Sequence, residues 1–247
     1  MRLSKSWIIA AKDFKTYRKK KNIIYALMVI PFLVAILITG IISYVGQRNA
    51  GRVSPAELVV LLPAFGFFYV ILAAYLATPI ASYTIVGEKV EKSLEPLLAT
   101  PTTDSEILLG KGIAAFFPPL FALWGGSAVF MVLMDLTTKS KLGYYYFPDW
   151  NTALVLFLLL PLALLMSVLV NVIISSRVTD IRTGQQLGGL AVLPFAGLYV
   201  CGELNIVNLG DTGNLLLIVA ALIVVDLLLF VVSRATFRRE EILTRWK

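Results

Sequence analysis

Six stretches of the sequence contain no charged residue and few polar ones: 22–47, 58–87, 112–134, 152–176, 184–202 and 212–225. About 20 apolar residues in a helix cross the ~30 Å hydrocarbon core of a bilayer, so each stretch predicts a transmembrane helix. The fifth is short for a crossing, and the sixth runs on past one acid, Asp226, to Ser233. Six crossings within 247 residues leave room only for short connections. The expectation is an all-α integral membrane protein, one transmembrane domain over 1–247, with no second soluble domain. The 58% share of hydrophobic residues exceeds the roughly 45–50% apolar content of soluble domains. The basic N-terminal stretch is too long for a cleavable signal peptide.

The basic residues sort to one side. Residues 1–22 hold eight Lys and Arg, 86–111 three, the loop after the fourth stretch two, and the tail from Arg234 five; the three remaining loops share four. Basic loops stay in the cytoplasm, which predicts a multi-pass protein of the cell (plasma) membrane with both termini cytoplasmic, as an even number of crossings requires. The net charge of +7 reflects this bias and a basic surface facing membrane lipid, so no nucleic-acid partner is expected. The chain has no histidine and one cysteine, Cys201. Histidine-dependent hydrolysis, most zinc and haem sites and an intrachain disulfide are therefore excluded, and no metal site is expected.

Before the first apolar run, Leu3, Trp7, Ala10, Ala11, Phe14 and Tyr17 recur at helical spacing, with Lys5, Lys12 and Lys19 opposite. This predicts an amphipathic helix over 1–21 lying at the membrane interface, the alternative being a plain topology-fixing basic flank. Pro31, Pro63, Pro79, Pro118, Pro119, Pro161 and Pro194 predict kinks within the spans.

The connection between the second and third runs is chemically distinct. Over 87–111 it carries five acids and three bases, on the face that is otherwise basic. Val90, Leu94 and Leu97 form one helical stripe and Glu88, Glu91 and Glu95 another. Leucines to bury beside carboxylates to pair suit a docking surface for a basic soluble partner; a merely solvated loop is the competing reading. Thr103 and Glu106 then form a capping box that predicts a new helix start.

This connection resembles that of the type-2 ABC transporter permeases. Their glutamate-rich turn, Leu-Glu-x-Leu-Leu-x-Thr-Pro and Leu-x-Gly-Lys stand here as Glu88, Glu91, Leu94-Glu95-Pro96-Leu97-Leu98-Ala99-Thr100-Pro101 and Leu109-Gly110-Lys111. The family layout of an amphipathic N-terminal helix, six spans and this loop between spans two and three matches the whole chain. Lys92-Ser93 replaces the Gly-Thr of many relatives, and the large extracellular domain or fused ATPase of others is missing. No Gly-x-x-x-x-Gly-Lys-Ser/Thr occurs: Ser105 and Gly112 occupy the diagnostic positions around Gly110-Lys111.

The resemblance implies a permease that hydrolyses no ATP itself and binds no cofactor, ATP and Mg being held by a separate ABC ATPase subunit. Segment 87–101 is implied as the coupling segment, with Glu88, Glu91 and Glu95 in polar contacts and Leu94, Leu97 and Leu98 in apolar ones. The loop bearing Arg177, Asp180 and Arg182 is implied as a second contact, and 234–247 as a cytoplasmic tail. A second permease copy, in a homodimer or related heterodimer, would complete a pathway along spans two and five, with Phe65, Phe68, Tyr69, Phe195 and Tyr199 as lining candidates. The family also implies re-entrant helices after a short fifth span. Export of a hydrophobic or amphipathic compound is the implied function, with sodium extrusion a minority option. The alternatives in other classes are an intramembrane enzyme, for which no nucleophile–base arrangement is visible, and an ATP-independent channel or secondary carrier.

Asp226 interrupts the sixth run. A mid-span carboxylate costs on the order of 3 kcal/mol on insertion scales and must face protein or water, pair or stay protonated. It is either a cation or proton site or a structural group hydrogen-bonded to a neighbouring span, for example to Asn171 or Ser167.

Overall fold

The computed structural model describes residues 3–19, 21–48, 55–90, 102–204 and 206–236, and among them every regular element is helical. α1 is Leu3–Lys19, α2 Lys21–Arg48 and α3 Pro55–Ser82. α3 continues through one π-helical turn, Tyr83–Gly87, into Glu88–Val90. α4 spans Asp104–Leu142, α5 Trp150–Arg177, α6 Ile181–Gly188, α7 Leu193–Glu203 and α8 Thr212–Thr236. Five of these, α2, α3, α4, α5 and α8, are long and apolar enough to cross a membrane.

α3 and α5 form the enclosed centre, packed against each other, with α2 and α4 on one side and α8 on the other. Buried positions on both are small or branched: Ala73, Ala74, Ala77, Ile80 and Ala81 on α3, Ala163, Leu164 and Val168 on α5. Small residues let backbones approach where there is no water to expel. α2 and α8 instead leave Leu33, Ile36, Leu37 and Ile41, and Leu217, Val224, Leu227 and Leu228, exposed. Such apolar flanks are what a bilayer solvates, so the protein is a multi-pass membrane protein.

α4, at 39 residues, is the longest element. Its start is set by the expected capping box: the Thr103 hydroxyl accepts from Glu106 N at 3.3 Å and Glu106 Oε2 from Thr103 N at 3.0 Å. Gly143, at φ 77°, ends it in the left-handed conformation that glycine adopts freely. Gly126 lets α2 close in, since a Cβ there would sit 2.5 Å from Pro31 Cβ. Pro161 lacks the N–H that Leu156 O would accept in the π-helical turn Val155–Leu159, and Trp124 Nε1 donates to that oxygen instead, at 2.9 Å.

The fifth apolar run is not one helix. α6 gives way to a 3-10 turn, Gly189–Val192, before α7, and α7 is followed within eight residues by α8. Thr212 Oγ1 donates to Asn151 Oδ1 at 2.7 Å, so α8 begins beside the start of α5, whereas α6 begins just past its end. The broken segment therefore travels the length of α5. Between α7 and α8 the described residues, 204 and 206–211, form turns and irregular backbone.

Candidate functional site

At the end of the bundle where α1 lies, three helices meet on buried charges. α1 presents Ser6, Ile9, Ala10, Asp13 and Tyr17 to the bundle. The expected apolar stripe is corrected here: Ala10 and Tyr17 belong to the packed face, but Trp7 is 58% exposed beside Ile8, Lys12, Lys15 and Lys19. Gly110 on α4 makes the docking possible, because a Cβ there would lie 2.7 Å from Ser6 O and 2.8 Å from Ile9 Cβ.

The next residue, Lys111, is fully buried and points into the joint. Its Nζ donates to Glu88 Oε2 at 2.6 Å and to Thr84 O at 2.7 Å, and lies 3.7 Å from Asp13 Oδ2. Lys12 reaches Glu88 Oε1 at 2.9 Å from the half-exposed side. The Tyr17 hydroxyl and Thr84 Oγ1 complete the cluster with a hydrogen bond. Burial pushes the Asp13 carboxyl above the usual carboxylate range, opposed by the Lys111 ammonium. Gly-Lys in the Leu109-Gly110-Lys111 motif thus has a physical reason: the glycine admits α1 and the lysine neutralises the two acids it brings together.

Glu88 is consequently not a free docking carboxylate, as the sequence reading had it. It is a pivot holding the end of α3 to α1 and α4. Lys89, beside it, turns the other way. Its buried ammonium donates to Ser175 O at 2.7 Å, Ser176 O at 3.0 Å and Val178 O at 3.3 Å, the carbonyls left open at the end of α5. A cation is favoured at a helix C-terminus by the same unsatisfied carbonyls. Two successive residues therefore clamp the root of the acidic segment, one to α1 and α4, the other to α5. The segment itself, with Glu91, Leu94, Glu95, Leu97 and Leu98, lies outside the described residues.

Next to this clamp, Asp180 caps α6. Its Oδ2 accepts from Thr183 N at 2.9 Å and Thr183 Oγ1 at 3.1 Å, and these bonds hold its carboxyl below the usual range. The cap orders the 178–180 turn and leaves Arg177 and Arg182 exposed on either side.

Deeper in the bundle, Asn171 is a polar node joining α3, α5 and the broken segment. Ser82 Oγ donates to its Oδ1 at 2.9 Å, while its Nδ2 donates to Ser167 O at 2.8 Å and Thr78 Oγ1 at 3.3 Å. Ser167 Oγ is bonded to Ala74 O at 2.7 Å. Gly188 packs directly on this node, where a Cβ would fall 1.9 Å from Asn171 Oδ1. The hydrogen bond expected from Asp226 to Asn171 or Ser167 is not formed; both are occupied by α3, and neither Asp226 oxygen has a hydrogen-bond partner among the described residues.

The aromatic lining candidates divide. Phe65 and Phe68 are half-buried on α3, and Tyr199 on α7 stacks on Phe67 and meets Phe68 edge-on. Tyr69 faces the opposite way, its hydroxyl 3.2 Å from Pro31 O and 3.1 Å from Gly126 O, and Phe195 is wholly enclosed. Both are core residues and not lining residues, because a span's aromatics radiate all round it and sequence does not say which side is protein.

Sequence reasoning missed the charged joint of Asp13 and Lys111 with Glu88, and the separate anchorage of Lys89 on α5. No curated protein matches the chain. A family profile, that of the ABC-2 family transporter proteins, matches residues 7–184, a stretch holding most of α1, α2 to α5, the clamp and the start of α6. With most of its length so matched, the chain belongs to the ABC-2 family of transporter proteins, the membrane-spanning permease components of ABC transporters.

Proposed function

We propose that the protein is the permease subunit of an ATP-driven ABC exporter, a single domain over 1–247 that couples to separate ATPase subunits holding the ATP and Mg. The observation that carries this reading is the double clamp at Glu88 and Lys89. A segment that only bridged two spans would need no anchorage in both halves of the bundle. A segment pushed by a partner does, because its displacement must reach α1 and α4 through Glu88 and α5 through Lys89. Glu91 and Glu95 with Leu94, Leu97 and Leu98 would form the docking surface, and exposed Arg177 and Arg182 the smaller second contact.

The distribution of Lys and Arg supports a cytoplasmic location for this end and for both termini in the cell membrane. The exposed Trp7, Ile8, Lys12, Lys15 and Lys19 of α1 support an interfacial helix, its other side docked on α4. α6, the 3-10 turn and α7 together make the fifth of six crossings, as their course along α5 supports. Two copies, identical or related, would meet along α3 and the broken segment. Half-buried Phe65, Phe68 and Tyr199 then line the pathway for a hydrophobic or amphipathic compound.

Affinity purification from native membranes in mild detergent tests the reading. An ABC ATPase should co-purify with measurable ATP hydrolysis, and Glu91→Ala with Leu94→Ala should abolish the association. Isolation of the chain alone under several gentle conditions would instead favour an ATP-independent channel or carrier.

A further inference from the structure

α4, α5 and α8 enclose an apolar groove of about 310 Å³ that no polar side chain lines among the described residues. Leu108, Gly112, Phe116 and Phe117 form its α4 wall, with Val168 of α5 and Phe230 of α8 facing them. Phe117 and Phe230 are each more than a third exposed, so the groove opens sideways towards lipid. Its volume falls at the lower end of the range for small-molecule sites.

Asp226 stands one helical turn from Phe230, on the same side of α8. With Leu215, Val219, Leu222 and Ser233 it belongs to the buried stripe of α8, which packs on α5. Only 5% of the residue is exposed, and both carboxylate oxygens lack a hydrogen-bond partner among the described residues. No lysine or arginine occurs in 112–134 or 150–176, and Asp226 is the sole charge in 212–233. The helices that form the groove thus supply no cation at this depth. An apolar slot with aromatic walls, open to lipid and one helical turn along α8 from an unpaired carboxylate, is complementary to one ligand chemistry: a hydrophobic body carrying a positive charge.

We propose that this groove and Asp226 form a binding site for hydrophobic organic cations that enter from the lipid. The inference rests on the reading of the substrate as hydrophobic or amphipathic and narrows its charge. It also places a site away from the α3 and α7 aromatics.

Binding of tritiated tetraphenylphosphonium to the purified full-length chain in detergent, read by scintillation proximity, tests it. The wild type should bind saturably. Asp226→Asn should weaken binding at least about tenfold, and Asp226→Glu should retain most of it. Gly112→Phe, which fills the groove from a different helix, should weaken binding comparably while leaving the thermal midpoint unchanged. Dodecyltrimethylammonium should displace the probe and laurate should not, a charge preference that a merely structural aspartate would not produce. Equal binding by Asp226→Asn and wild type, or equal displacement by laurate, would overturn the proposal and leave a non-selective acyl-chain groove. The assay contains no nucleotide and no ATPase, so failure here leaves ATPase docking untouched, and failure of docking leaves this result standing.

Discussion

Lys111 balances two buried acids donated by different helices, and its removal leaves both without their main partner. Deleting one member of a buried ion pair costs about 3–5 kcal/mol, whereas half-exposed pairs are worth roughly 1 kcal/mol or less. Lys111→Met should therefore lower stability several-fold more than Lys12→Met, measured by thermal unfolding in detergent. The pH dependence has a definite sign. Asp13 holds its proton more tightly in the folded protein than in the unfolded chain, so its contribution to stability is greatest at acid pH and declines as pH rises through the folded-state value. Without Lys111 only the weaker pull of Lys12 opposes that shift, so the loss in Lys111→Met should be larger at about pH 8 than at about pH 5. A loss independent of pH would mean that Asp13 is not what Lys111 neutralises. In the sequence Lys111 was visible only as part of a motif. Its partners lie 98 and 23 positions away, and a helix read from its apolar residues hides a buried carboxylate on its packed face.

At the level of elements, glycines decide how closely helices meet. Gly188 and Gly189 are adjacent but differ completely in surroundings, the first pressed on Asn171 and the second with nothing within 4 Å. Gly188→Ala should depress the thermal midpoint and transport, while Gly189→Ala should be nearly neutral; similar effects would remove the node from the account. Gly110→Ala should loosen α1 from α4, seen as faster proteolysis of the N-terminal segment, because the obstructing atoms include backbone. Five crossings were legible in the sequence, since long uncharged runs admit one structure in lipid. The capping box at Thr103 was legible too, because its chemistry is local. The break at Gly189–Val192 was not, because it answers to Asn171 on another helix.

For the whole molecule, the clamp at Glu88 and Lys89 turns a loop into a lever on the bundle. Lys89→Met should leave ATPase association intact yet reduce transport-linked ATP hydrolysis, because the link to α5 is cut while the docking surface remains. Equal loss of association and hydrolysis would assign Lys89 to docking. The acidic segment was conspicuous in sequence, but its anchorage was not, since adjacent residues turning to opposite sides emerge only from the packing of three neighbours. Site-directed cross-linking tests the central claim most directly. With Cys201→Ser as background, Leu97→Cys carrying a photoactivatable maleimide in native membranes should cross-link to an ABC ATPase subunit, and Tyr144→Cys at the far end of α4 should not. Cross-linking of no ATPase from Leu97→Cys, or of equal amounts from both positions, would contradict a permease driven through this segment.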